Sequence, residues 1–200
     1  MRRVVLVIVA SVVVIAGTRH GAVEAEENGA TPAPASTAEE PVATYQLLYQ
    51  LQRYPEAIEA AEQALAAAEV AFGTESEQAA QVLNDLGFLH HRQGQEVQAE
   101  TSHQRALAIR EHLFNSDGPA VVQSLNNLAK VYRAQGRHEK ATELFKRSLE
   151  ITERHVSPTD PFLVTVLEPY AASLRASGKI KDAQALEERA RAIRAALPSQ

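Results

Sequence analysis

The sequence predicts an all-α protein, an α-solenoid of about four antiparallel helical hairpins. Three observations carry that expectation. Residues recur at an offset of 42: Gly94, Gly136 and Gly178, and likewise Ala57, Ala99, Ala141 and Ala183. Within a repeat the apolar residues follow helical spacing, as Leu125, Leu128, Ala129 and Tyr132 do at i, i+3, i+4, i+7. The composition agrees, because 35 alanines among 200 residues with only 5% aromatics suit close-packed helices better than a sheet. The absence of cysteine excludes disulfide scaffolds and thiolate metal sites.

Taken in order, the predicted helices cover 42–52 and 54–72 in the first hairpin, 77–93 and 95–114 in the second, 119–135 and 137–156 in the third, 161–177 and 179–197 in the fourth. The repeats then run over about 42–75, 76–117, 118–159 and 160–197. In the last three hairpins a glycine separates the two helices, and glycine accepts the left-handed backbone that ends a helix. The first helices of those hairpins are preceded by Ser76, Gly118 and Asp160, all acceptable N-caps, and the next slot holds Glu77, Pro119 and Pro161. Proline at a first helical position loses no hydrogen bond that the helix would have made. Whole segments align at the same offset. Leu83-Asn84-Asp85-Leu86-Gly87 matches Leu125-Asn126-Asn127-Leu128-Ala129, and Ala106-Leu107-Ala108-Ile109 matches Ser148-Leu149-Glu150-Ile151. After Gly136, the residues Ala141, Phe145, Ser148, Leu149 and Thr152 form the inward stripe of the second helix.

The ends read differently. Residues 1–25 have the parts of a secretory signal: Arg2 and Arg3, an apolar or small stretch from Val4 to Gly17, and small residues at Val23 and Ala25. Export to a periplasmic or secreted location is expected; the alternative is an uncleaved membrane anchor formed by 4–17, which Arg19 and His20 just beyond it would suit. The anchor would be the only contact with a membrane. Residues 26–41 are rich in Pro, Ala and Glu and are expected to form a disordered tether. Residues 24–77 hold 11 acids and one base, whereas 78–200 hold 14 acids and 16 bases. A chain with net charge −5 is a poor candidate for nucleic-acid binding.

These repeats resemble the tetratricopeptide repeats, in their 42-residue kinesin-light-chain form. The likeness covers about 42–197 and is most specific from Ser124 to Ile151, through Leu-Asn-Asn-Leu-Ala, Tyr132, Gln135-Gly136-Arg137, Ala141, Phe145 and Ser148-Leu149. The outer repeats depart from the pattern. The first has Tyr45 where a small residue belongs and Gln52 where glycine belongs; the fourth has Pro169, Glu187 and Arg191. The resemblance implies a right-handed superhelix whose first helices line a concave surface. It also implies that this surface holds peptide segments through Gln81, Asn84, Phe88, His91, Arg92, Gln123, Asn126, Lys130, Arg133 and Arg175, with Thr165 and Glu168 beside them. Amides pair with an extended backbone, and Lys or Arg holds a carboxylate. Asp85 and Asn127, next to the two asparagines, are expected to serve hydrogen bonds between helices.

Seven histidines raise a metal question. His90 and His103 stand where the third repeat has Tyr132 and Phe145, with His91 adjacent, and both are expected to point into one hairpin as core residues rather than ligands. No metal or cofactor is expected. There is no phosphate loop, no Gly-x-Ser-x-Gly elbow and no His-Glu-x-x-His segment, so no enzyme is expected. The function expected is a non-catalytic adaptor or assembly factor that holds a peptide or helix of an exported protein in the concave groove. The alternative is an architectural subunit of a membrane-anchored or self-associating complex that uses the repeat edges.

Overall fold

The computed structural model describes residues 36–196, with side chains from Val42 onward. The expected signal segment 1–25 lies outside the described residues. Among them, every regular element is helical: α1 (Ser36–Gln50), α2 (Tyr54–Phe72), α3 (Glu77–Arg92), α4 (Glu96–Leu113), α5 (Pro119–Ala134), α6 (His138–His155), a 3₁₀ turn (Pro161–Leu163), α7 (Val164–Ala176) and α8 (Ile180–Ala195). No described helix is long and apolar enough to cross a membrane.

The helices pack as four consecutive hairpins, α1–α2, α3–α4, α5–α6 and α7–α8, and each second helix also packs on the first helix of the next hairpin. Direct packing continues from α3 to α5 and from α5 to α7. Of the first helices, α3, α5 and α7 thus lie directly against one another in turn along one side of the stack.

One closure ends every first helix. In hairpins two to four the N–H groups of Gln95, Arg137 and Lys179 reach back to the carbonyls of His90, Tyr132 and Leu174 at 2.8–2.9 Å, a bond made possible by φ of +73°, +74° and +78° at the preceding Gly94, Gly136 and Gly178. The first hairpin makes the same bond, from Arg53 N–H to the Leu48 carbonyl at 2.9 Å, with Gln52 forced to φ +59°. Helix starts follow the predicted caps. Ser76 Oγ accepts from the Ala79 N–H at 3.2 Å, and Asp160 Oδ1 accepts from the Phe162 N–H at 2.8 Å.

Two elements differ from expectation. The first helix starts at Ser36, six residues early, so it takes over the end of the segment 26–41 expected as a tether. Ser36 begins a run containing Glu39 and Glu40, and serine followed by acids within the first turns suits a helix N-terminus. The seventh helix is shorter than 161–177, because Asp160 caps a tighter 3₁₀ turn over Pro161–Leu163 before α-helix begins at Val164.

The repeat-spaced alanines Ala57, Ala99, Ala141 and Ala183 are all fully buried, which explains why the offset preserves them. A second rule governs the slot that departs in the outer repeats. Gly87 lies against the His103 ring so closely that a Cβ there would sit 2.7 Å from it. The equivalent pairs are Tyr45 with Ala61, Ala129 with Phe145, and Ala171 with Glu187. In each of the first three hairpins one large residue meets one small one, and Tyr45 and Ala61 share a core cluster, as do Ala129 and Phe145. Tyr45 is thus a swap of sizes rather than a defect, and its hydroxyl donates to Asp85 Oδ2 at 2.7 Å.

The outer face carries an ion-pair ladder with the period of the repeat. Arg105 pairs with Glu69, Arg147 with Glu111 and Arg189 with Glu153, joining α2 to α4, α4 to α6 and α6 to α8. Each half-exposed pair adds little stability, but three at one offset hold the register of neighbouring hairpins.

Candidate functional site

The inner face is built from α3 and α5, and the structure sorts its predicted residues into those engaged in holding the stack and those left open. Asn84 is buried, and its Oδ1 accepts from Asn127 Nδ2 at 2.8 Å, a bond between the second and third repeats. Asn127 and Asp85 therefore both serve contacts between repeats, the latter through Tyr45. Gln81 and Gln123 are not free either, because both accept from Arg110, at 2.9 and 3.1 Å.

Arg110 is the residue the sequence reading missed. It is 1% exposed, it forms an ion pair with Glu77 at 2.8 Å, and it donates to Ser124 Oγ at 3.0 Å. One guanidinium therefore joins the N-terminal turns of α3 and α5 from its seat on α4. The signal was present: Arg110 continues the stripe Ala99, His103, Ala106 at spacings of four, three and four, which places it inward.

Two further predicted residues are used locally. Arg92 donates to the Tyr54 hydroxyl at 2.8 Å and lies over that ring, so it leans toward the first repeat. Arg175 pairs with Glu187 at 2.7 Å, which ties α7 to α8 and keeps it apart from the others. Of the neighbours named with them, Thr165 donates to the Phe162 carbonyl and Glu168 pairs with Arg194.

The remaining predicted residues lie on α3 and α5. Phe88 is 43% exposed, with its edge against Tyr49 at 5.4 Å. His91 Nδ1 lies 3.0 Å from the Glu96 carboxylate. Lys130 and Arg133, one turn apart, form no ion pair among the described residues. Desolvation holds the Lys130 pKa below the ordinary lysine value, and the Arg133 charge adds to it. Asn126 Oδ1 is sealed from water without a hydrogen-bond partner. Asn84 receives its bond from Asn127, and the residue 42 further on, which would serve Asn126, is Pro169; proline has no side-chain donor.

Phe88, His91, Arg92 and Lys130 come together around a pocket of about 230 Å³, with His103, Asn127 and Val131 completing it. A larger cleft of about 870 Å³ opens between α1, α2 and α3, where Tyr45, Gln46, Phe72 and Gln81 are among its walls. The two histidines expected in the hairpin interior part company. His103 is buried and its pKa is pushed down to about 4, first by desolvation and then by the charges of His91, Lys130 and Arg110. His90 is only half-buried and its Nδ1 meets Gln95 Oε1 at 2.7 Å. Among the described residues no three His, Cys, Asp or Glu side chains gather as they would around a metal ion.

A family profile for the tetratricopeptide repeat matches residues 45–112, 78–154 and 120–196. The chain belongs to the tetratricopeptide repeat family. Solved structures share its fold. BtubC from P. vanneervenii is 24% identical with a TM-score of 0.73, over 82% of this chain and 66% of that one. A putative kinesin light chain of Podosopora anserina with nearly identical repeats has the same identity and TM-score, over 82% and 78%. MamA is 17% identical with a TM-score of 0.60, over 82% and 79%. This chain spans just under two thirds of BtubC. No curated protein matches the sequence. A tetratricopeptide repeat array is a protein–protein interaction scaffold, and the fold is typically non-catalytic.

Proposed function

We propose that this tetratricopeptide repeat protein is a non-catalytic adaptor or assembly factor, and that it holds a peptide or helix of an exported protein in the groove formed by α3 and α5. The observation that carries this reading is the pair Lys130 and Arg133, two cations on the inner face with no carboxylate to neutralise them among the described residues. Lys130 shares a pocket wall with the exposed Phe88 ring. Together these groups offer an apolar contact and positive charge within one surface, which suits an extended segment with an acidic residue.

The edges of the stack are the weaker surface for partner capture. The ladder that joins neighbouring hairpins has Gln63 where an arginine would start it and Ala195 where a further acid would extend it, so neither edge offers its half of the pair. Export rests on residues 1–25, whose charge and apolar pattern are those of a secretory signal.

Affinity capture from the native cell, followed by the double variant Lys130→Glu and Arg133→Glu, tests the groove. The variant loses the captured partner while its thermal unfolding stays within ~0.5 kcal/mol of the parent, as surface changes do. Capture that survives the charge reversal contradicts the groove reading.

A further inference from the structure

The seat of Arg110 recurs one repeat earlier without its arginine. From α4, Arg110 donates to Glu77 and Gln81 of α3, and on its other side to the Ala120 carbonyl, Gln123 Oε1 and Ser124 Oγ of α5 at 3.5, 3.1 and 3.0 Å. Moving back 42 residues replaces Arg110 with Ala68 on α2, and Ala120, Gln123 and Ser124 with Gln78, Gln81 and Val82 on α3. All four of these residues line the 870 Å³ cleft between α1, α2 and α3. The cleft is therefore the space that an arginine fills at the next junction, left open because the side chain of Ala68 ends at its Cβ.

The lining has the chemistry to receive a guanidinium. Glu77 and Asp85 bring two carboxylates, and no lysine, arginine or histidine is among the described residues of the walls. Asp85 accepts from the Tyr45 hydroxyl at 2.7 Å and from Gln81 Nε2 at 3.1 Å; both donors are uncharged, so they fix the carboxylate without neutralising it. Glu77 stays 40% exposed while it holds Arg110, and an ionised carboxylate has about four acceptor sites, so it can accept from the cleft as well. Gln81 Oε1 likewise keeps a second lone pair beyond the bond from Arg110. Ala64, Ala68 and Val82 offer an apolar bed for the stem of the side chain, and the half-exposed Phe72 adds an aromatic ring, on which a guanidinium stacks better than an ammonium does.

We propose that this cleft reads arginine: it takes one arginine side chain of a partner segment, seated on Ala68 and held by Glu77, Gln81 and Asp85. The protein's own Arg110 is the template for that ligand, and the volume leaves room for the backbone that carries it. The site lies at the junction of the first two repeats, apart from Lys130 and Arg133 on α5, and does not depend on the groove reading.

The test is an NMR titration of the full chain with three capped pentapeptides whose central residue is arginine, lysine or citrulline, the uncharged counterpart of arginine. The arginine peptide shifts the Ala68 and Val82 methyl signals and binds ~tenfold tighter than the citrulline peptide, as charge-assisted hydrogen bonds do; the lysine peptide falls between them. Asp85→Asn, which copies Asn127 of the next repeat, weakens the arginine peptide about threefold and leaves the citrulline peptide unchanged. Ala68→Arg, which copies α4, fills the seat from within and abolishes the Val82 shift; should that variant fail to fold, Asp85→Asn decides alone. Arginine bound no tighter than lysine or citrulline overturns the proposal. So does an arginine peptide that leaves Ala68 and Val82 unmoved, that still shifts Val82 in Ala68→Arg, or that is indifferent to Asp85→Asn. Binding that appears only after Arg2, Arg3 and Arg19 are replaced by alanine overturns the partner assignment and gives the seat to the chain itself. A dimer that Ala68→Arg dissociates overturns it in favour of a second copy. Each of these failures leaves the groove reading standing, because that reading is tested at Lys130 and Arg133.

Discussion

At the scale of single residues, the clearest consequences come where one repeat breaks a rule that the others keep. Gln52 occupies the left-handed slot that Gly94, Gly136 and Gly178 fill elsewhere. A side chain there costs about 1 kcal/mol relative to glycine. Gln52→Gly therefore raises the stability by about that much in a denaturant titration, whereas Gly136→Ala lowers it by a similar amount. His103 gives a pH effect with a definite sign. Its folded pKa of about 4 lies below the unfolded value of 6.5, so the unfolded chain binds the extra proton. Stability is full above pH 6.5, falls as the pH drops through the window down to about 4, and loses up to about 3 kcal/mol across it. His103→Phe flattens that segment of the stability profile, and chemical denaturation at pH 5 and pH 7.5 measures it. Asn126 offers a third case. Pro169→Asn supplies the donor that Asn127 supplies to Asn84, restores a backbone N–H to α7, and adds about 1 kcal/mol.

At the scale of elements, the helices were legible in the sequence because their determinants repeat. Each glycine closure, each buried alanine and each inward stripe occurs three or four times at one offset, so the hairpin boundaries fall within a few residues of those read from the pattern. The start of α1 was legible only through the offset, since 42 residues before Glu77 is Ala35, one residue from Ser36, whereas Pro41 and the acidic composition masked it locally. The division of labour on the inner face was not legible. Gln81, Asn84 and Gln123 have the chemistry of peptide ligands, but they are taken up by Arg110 and Asn127, and a polar residue's partner 13 to 43 positions away leaves no local periodicity. The Arg110 cluster couples α3, α4 and α5, so its loss should loosen the junction between the second and third repeats. Glu77→Gln removes the counter-charge of a buried guanidinium and destabilises by about 2 kcal/mol, discounted for the partial exposure of Glu77. Arg110→Met, which removes the charge as well, costs less than Arg110→Ala, because it keeps the packing. Thermal unfolding of the three variants checks that ranking.

At the scale of the whole repeat array, residues 36–196 form a one-dimensional stack whose repeats are held by nearest-neighbour contacts. The outer face is tied by the arginine–glutamate ladder and the inner face by the Asn84–Asn127 bond and Arg110. The Lys130 and Arg133 charge, unpaired among the described residues, is then a surplus that the stack itself does not use, and we propose that a partner takes it up. Photo-crosslinking in the native cell tests that assignment most directly. A benzophenone side chain placed at Phe88, inside the groove, should crosslink the partner, and the same group at Lys146 on α6, on the outer face, should not. Crosslinking at Lys146 with none at Phe88 would contradict the account.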